Sequence, residues 1–195
     1  MKIILTTLLK LKKKKSKEPF LYIWNENKKQ MQNIILTHQE IQHKIKRIAY
    51  QIYEANVDEK EIIIAGIEGG GLNFAKKIEK VLTEITTAEI TICKVSMDKK
   101  NPLLTGVKTS ISEEMYKNKS VVLVDDVLNS GTTLIYGVHH FLRVPLKQLK
   151  TAVLVNRNHK KYPVKADYKG ISLSTSLQEQ VKVEFKAKED TVYLS

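Results

Sequence analysis

The sequence predicts an α/β fold, a mostly parallel sheet flanked by helices. Three observations predict it. Short apolar runs at Glu61-Ile-Ile-Ile-Ala65, Val121–Val124 and Thr151–Val155 have the length and composition of strands buried on both faces. Segments with apolar residues at helical spacing stand between them. The breaks fall at glycine-rich or hydroxyl-rich turns, and such alternation belongs to parallel sheets covered by helices.

The chain has 195 residues and a formal charge of +12, but the charge is unevenly spread. Residues 1–30 hold nine Lys and two Glu, a net of +7, which leaves +5 for the rest. In that first segment the apolar stretch Ile3 to Leu9 precedes the run Lys12–Lys15, the reverse of a secretory signal. Met31 stands just before the first well-organised segment. Residues 1–30 therefore read as a basic, disordered extension or a misassigned start, and 31–195 as one domain. An RNA-binding basic arm is the sharper alternative. No apolar run approaches the ~20 residues of a membrane span. Cys93 is the sole cysteine, which excludes an internal disulfide and a cysteine metal cluster. A cytoplasmic protein is expected.

Taking the elements in order, Thr37-His-Gln-Glu40 has the form of a capping box. Ile41, Ile45, Ile48, Ala49 and Ile52 continue at helical spacing, to an end near Asn56. The strand at 61–65 breaks at Gly66-Ile-Glu-Gly-Gly-Gly71, and Leu72, Ala75, Ile78 and Leu82 mark a second helix. Residues 88–95 form a strand in which Cys93 is buried packing. Ser96 to Asn118 is polar, with Pro102, Gly106 and several Lys, and reads as a long loop enclosing a strand or short turn. Loops of this length are often lids. After Val121–Val124, residues Leu134, Ile135, Val138, Phe141 and Leu142 give the next helix. Strand-like runs beyond Ala166 include Val181–Phe185 and Thr191–Leu194. His38, His43, His139 and His140 read as helix-surface residues.

Chemistry concentrates in Val121-Val-Leu-Val-Asp-Asp-Val-Leu-Asn-Ser-Gly-Thr-Thr-Leu134. Two adjacent carboxylates at a strand end repel each other and lose hydration, and a ribose diol offers donors that offset this. The following Asn129-Ser-Gly-Thr-Thr133 opens a helix, whose first N–H groups bind anions. Gly131 allows close approach, while Ser130, Thr132 and Thr133 add hydroxyls. The glycines at 69–71 expose further N–H groups, as in an anion nest, although a tight turn is the plainer alternative. Ligands of such sheets bind beyond the carboxyl ends of the strands, where both loops fall. A P-loop is excluded, because Leu72-Asn73 stands where Lys followed by Ser or Thr is required.

Taken whole, Val121–Leu134 resembles the ribose-phosphate signature of type I phosphoribosyltransferases. Arg47-Ile-Ala, Ile63–Gly71 and Leu154–Gly170 extend the likeness to the bacterial pyrimidine-operon regulator and uracil phosphoribosyltransferase family, over roughly residues 34–193. The resemblance implies the type I fold with a flexible lid at 96–118 and a small C-terminal hood. It implies transfer of phosphoribose from phosphoribosyl pyrophosphate (PRPP) to a nucleobase, with uracil the expected base. The alternative it carries is an RNA-binding regulator that senses PRPP or nucleotide, with weak or no catalysis.

By resemblance, Asp125 and Asp126 are the catalytic pair on the ribose hydroxyls. Asn129, Ser130, Gly131, Thr132 and Thr133 take the 5′-phosphate. Glu68, Gly69, Gly70 and Gly71 face the pyrophosphate, and Arg157 and His159 border the base. Mg²⁺ is expected on PRPP oxygens near Asp125 and Asp126, and a homodimer or higher homo-oligomer is expected. Several positions depart from the family pattern. Glu68 and Gly70 replace a Lys and an Arg, and Asn156 and Asn158 stand where Asp and Gly are preferred. The lid Met97-Asp-Lys-Lys-Asn-Pro102 lacks an Arg-Asp-Asp run, for which its lysines can partly substitute. Asn129 occupies the place where purine-specific relatives carry an acid.

Overall fold

The computed structural model describes residues 34–174, 176 and 178–195, so the basic segment 1–30 lies outside the described residues. Strand β1 (Ile34–Leu36) leads into helix α1 (His38–Glu54). The capping box forms as expected: Glu40 N–H donates to Thr37 Oγ1 at 3.5 Å, and Thr37 N–H donates to Glu40 Oε2 at 2.8 Å. All five apolar residues of the predicted stripe are buried.

Strand β2 (Glu61–Ile67) is followed by helix α2 (Gly70–Ile85). Its buried face carries Phe74, Ala75, Ile78 and Leu82, and Leu72 is only half-buried. At about 100° per residue, Leu72 stands roughly a quarter-turn off that face, whereas Phe74 falls within it. Next come β3 (Glu89–Ser96), the short helix α3 (Pro102–Thr105), β4 (Lys108–Thr109) and the short helix α4 (Glu113–Tyr116). The long polar loop thus encloses three short elements. Strand β5 (Ser120–Leu128), helix α5 (Thr132–Phe141), and strands β6 (Gln148–Arg157) and β7 (Tyr168–Leu173) complete the main layer.

The larger sheet has the order β4-β3-β2-β5-β6-β7, and every pairing is parallel except β3 with β4. From β2 the chain steps outward to β3, while β5, β6 and β7 build on the other side of β2. Strand order therefore reverses between β2 and β5, and the crevice beyond their carboxyl ends is the expected ligand site of an open α/β sheet. The pairs Ile62–Ser120 to Gly66–Val124 hold the two strands in register. Helices α1 and α2 share one apolar core on one side of the sheet, and Leu134 and Phe141 of α5 belong to the other.

Strand β5 runs four residues further than the apolar sequence suggested. Past Val124 it loses β2 as a neighbour but keeps β6, with Asp125–Val153, Val127–Val155 and Leu128–Asn156 still paired. The two acids therefore lie within a strand rather than in the loop after it. His140 is a second correction. It is 8% exposed, and its Nε2 is 3.4 Å from the Tyr116 hydroxyl. Burial holds its imidazole below the usual basicity, with Arg143 adding to the effect.

A second, antiparallel sheet has the order β1-β9-β8, from β8 (Val181–Glu184) and β9 (Thr191–Leu194). It is the expected hood, with β1 as an added strand. Phe185 stacks on Phe74 of α2 at 6.1 Å between ring centroids, and Lys77 Nζ lies 5.5 Å over the Phe185 ring. Asp190, fully buried between β8 and β9, accepts from Gln42 at 2.8 Å and pairs with Lys77 at 2.9 Å. Its backbone N–H donates to His38 Nδ1 at 3.0 Å. These contacts pin the hood to the start of α1 and the first half of α2.

Candidate active site

At the β2/β5 switch point the amino ends of two helices face a pair of carboxylates. Asp125 is 3% exposed. It accepts from Thr133 Oγ1 at 2.8 Å and from the Asp126 N–H at 3.0 Å. Burial, with the neighbouring Asp126 carboxylate, pushes its pKa up to about 7, and Lys99 opposes the rise. A carboxyl so placed resists ionisation, and donors or cations arriving beside it favour its charged form.

The glycine loop meets this pair at close range. A Cβ on Gly70 would fall 2.0 Å from Asp126 Oδ2, so the Asp126 carboxylate occupies the space that a side chain at position 70 would need. Gly69 has φ 96° and precedes α2, a helix of 16 residues. The first N–H groups of such a helix lack intrahelical partners. The Glu68 N–H is anchored on Val95 O at 2.8 Å. Its carboxylate turns to β3: hydrogen bonds from Ser96 and Lys94, then the charges of Lys94 and Lys99, hold it below the usual carboxylate range. The Lys94 Nζ to Glu68 Oε1 distance is 3.4 Å. The acid at position 68 is thus neutralised on the flank of the loop.

The hydroxyl-rich turn is short. Gly131, with φ 81°, caps α5, and a Cβ there would also strike Val164 Cγ1 at 2.5 Å. Ser130 Oγ lies 2.9 Å from Thr132 Oγ1 and accepts from the Thr132 N–H at 3.3 Å. The Ser130 carbonyl accepts from the N–H groups of Lys161 and Tyr162 at 2.8 and 3.2 Å. The single hydroxyl proton of Thr133 is spent on Asp125.

Beside this turn lies a cavity of about 560 Å³, lined by Val127, Asn129, Ser130, Arg157, His159 and the segment Glu179–Val181. Arg157 is 4% exposed, and its Nη2 donates to the carbonyls of Ser176 and Glu179 at 3.2 and 2.7 Å. It braces the hood edge over the cavity. Asn156 Nδ2 donates to Ser172 Oγ at 3.2 Å, and its buried Oδ1 has no hydrogen-bond partner. The structure thus gathers the acid pair, the glycine loop, the hydroxyl-rich turn and residues 157–159 along one edge of the sheet. The sequence reading missed the wall at Glu179–Val181, which is far away in the chain and carries no motif. It also left Lys94 unassigned and gave the lid lysines only a general role, because only the pairing of β2 with β3 brings Lys94 and Lys99 to the glycine loop.

An open parallel sheet with paired acids at its switch point, set between two helix amino ends, defines a class. The chain belongs to the phosphoribosyltransferases: residues 31–188 match the phosphoribosyl transferase domain family. Within that family it is a type I enzyme close to the bacterial PyrR proteins. It is 32% identical over 165 residues to the "Bifunctional protein PyrR" of Haemophilus ducreyi, covering 78% of this chain and 89% of the relative. It is 33% identical over 167 residues to the PyrR of Clostridium acetobutylicum, covering 81% and 94%. A hypoxanthine-guanine phosphoribosyltransferase structure from Bacillus anthracis superposes with TM-score 0.61 at 26% identity, over 72% of this chain and 83% of that one. A hypoxanthine phosphoribosyltransferase from Trypanosoma cruzi shares the fold with TM-score 0.69 at 19% identity, over 84% and 95%. Among the described residues no helix is long and apolar enough to cross a membrane.

Proposed function

We propose that this phosphoribosyltransferase moves the 5-phosphoribosyl group of PRPP to a pyrimidine, with uracil the first candidate, and releases pyrophosphate. The observation that carries the reading is the Asp125–Asp126 pair between the amino ends of α2 and α5. That spacing suits a ribose with an anionic group on either side. The 5′-phosphate would meet residues 129–133, the pyrophosphate residues 68–71, and the base the cavity at Asn129, Arg157 and His159. A neutral Asn129 in place of an acid favours a pyrimidine, and so does the similarity to PyrR proteins.

In the reaction a base nitrogen attacks C1′ while the bond from C1′ to the pyrophosphate oxygen breaks. Positive charge grows on the ribose ring as negative charge grows on the leaving group. The ionised Asp125 and Asp126 would hold the ribose hydroxyls and stabilise the cationic ring. Among the described residues there is no group of three or more metal-ligating side chains, so two carboxylates suit a magnesium ion carried in on PRPP oxygens and water. When bound, Mg²⁺ would offset the charge of the departing pyrophosphate. Residues 96–118, closing over the loops, would keep water from the ring.

A second reading is favoured by the loop at Glu68 and Gly70, where cationic side chains are missing: a regulator that binds PRPP or nucleotide together with RNA and turns over slowly. One assay separates the two. Pyrophosphate release from PRPP is measured with uracil, cytosine, hypoxanthine, guanine and orotate. Release with uracil, at least about a hundredfold above the other bases, is expected, since a site built to hydrogen-bond one base rejects those that leave its polar groups unpaired. No release with any base, together with salt-sensitive binding of leader RNA, would overturn the catalytic reading.

A further inference from the structure

We propose that Lys99 supplies, from the lid, the positive charge that the glycine loop lacks, and is the residue that grips the pyrophosphate of PRPP. This deepens the function proposed above and rests on it. The geometry starts from what the loop cannot do. Position 70 has no room for a side chain, because Asp126 Oδ2 lies 2.0 Å from where its Cβ would stand. Position 69 has φ 96°, a conformation L side chains rarely adopt. Position 68 is an acid. The loop can therefore offer N–H groups but no cation.

The space above Gly69 is not empty. Lys99 Nζ lies 3.7 Å from the Cβ position of that glycine. Lys99 is presented by a turn that its neighbour fixes. Asp98 Oδ1 accepts from the N–H groups of Lys100 and Asn101 at 2.8 and 3.2 Å, and the Asp98 N–H donates to Thr105 Oγ1 at 3.3 Å. The ammonium therefore comes from a held turn over the amino end of α2. Its charge acts on both Asp125 and Glu68, which places it between the acid pair and the loop flank. Lys94 is already engaged with Glu68 at 3.4 Å, and among the described residues Lys99 is the cation within 4 Å of the Gly69 Cβ position. An ion carrying several negative charges, entering beside the Asp125–Asp126 pair, gains from such a partner.

The test compares two ligands that differ only in the pyrophosphate. Binding of PRPP and of ribose 5-phosphate is measured by calorimetry with Mg²⁺ present, for the natural protein, K99Q, K99R and K100Q. A charge-assisted contact predicts that K99Q weakens PRPP binding about ten- to hundredfold. Ribose 5-phosphate binding should change less than about twofold, K99R should keep most of the affinity, and K100Q should behave as the natural protein. The inference is overturned if K99Q binds PRPP normally, if it loses both ligands equally, or if K100Q loses as much. A natural protein that binds neither ligand would instead sink the functional reading itself.

Discussion

Replacing Asp125 with Asn is expected to make the protein harder to melt at pH 8 and to cut pyrophosphate release at least about a hundredfold. Both effects come from one buried carboxyl. Its folded pKa is pushed up to about 7, against an ordinary value of 3.8, mainly by burial and by Asp126. A raised pKa stabilises the fold relative to ionisation only at low pH. That contribution is intact below about pH 4, where both states are protonated, and is lost as pH rises through 7. At pH 8 the natural protein must hold a carboxylate in a site that disfavours it, at a cost on the order of 4 kcal/mol.

Asn removes that charge and keeps the shape. Its Oδ1 can still accept from the Asp126 N–H, and the Thr133 hydroxyl can turn to accept from Nδ2. The melting temperature at pH 8 should therefore rise by several degrees, and the gain should vanish toward pH 4. What the variant loses is the anion needed against a positive ribose. An Asn variant that melts at the natural temperature at pH 8, or keeps its turnover, would contradict this account.

Replacing Asp190 with Ala is expected to lower stability by about 3 kcal/mol, because the partners of a buried charge are left unpaired. For a domain of this size that is roughly a 10 °C fall in melting temperature. The functional effect should be selective. Asp190 sits between the two hood strands that follow the cavity wall, and it holds them to His38, Gln42 and Lys77. The acid pair, the glycine loop and the hydroxyl-rich turn belong to the main sheet. KM for the base should therefore rise several-fold more than KM for PRPP. An equal rise in both would mean that the hood and the main sheet loosen together.

Much of this architecture was legible in the sequence. The helix at Ile41–Ile52 and the strands at 61–65, 121–124 and 151–155 announce themselves by period and length, because each must bury one face or two. The acid pair and the hydroxyl turn were legible as a candidate site because they stand together in one short run, and the structure keeps Thr133 on Asp125. Other features depended on distant pairing. The extension of β5 through Asp125 and Asp126 rests on β6, not on apolar residues. His140 is buried because Tyr116, from the far end of the lid, packs against it. The hood strand β1 is only three residues long, too short for a periodic signal, and exists through β9. Lys99 reads in sequence as one lysine of a pair, and only folding separates it from Lys100.

The register between β2 and β5 has a consequence for tolerance of change. The glycine loop and the acid pair come from segments far apart in the chain, and the five paired positions from Ile62–Ser120 to Gly66–Val124 align them. A slip of one residue would move the acids about 3.3 Å along the sheet and turn Asp125 to the opposite face. What forbids the slip is the fit of Ile62, Ile63 and Ile64 with Val121, Val122 and Leu123, all fully buried. The apolar interior thus acts as a ruler for the polar edge, and a repacked core would misalign the chemistry without touching any residue that takes part in it.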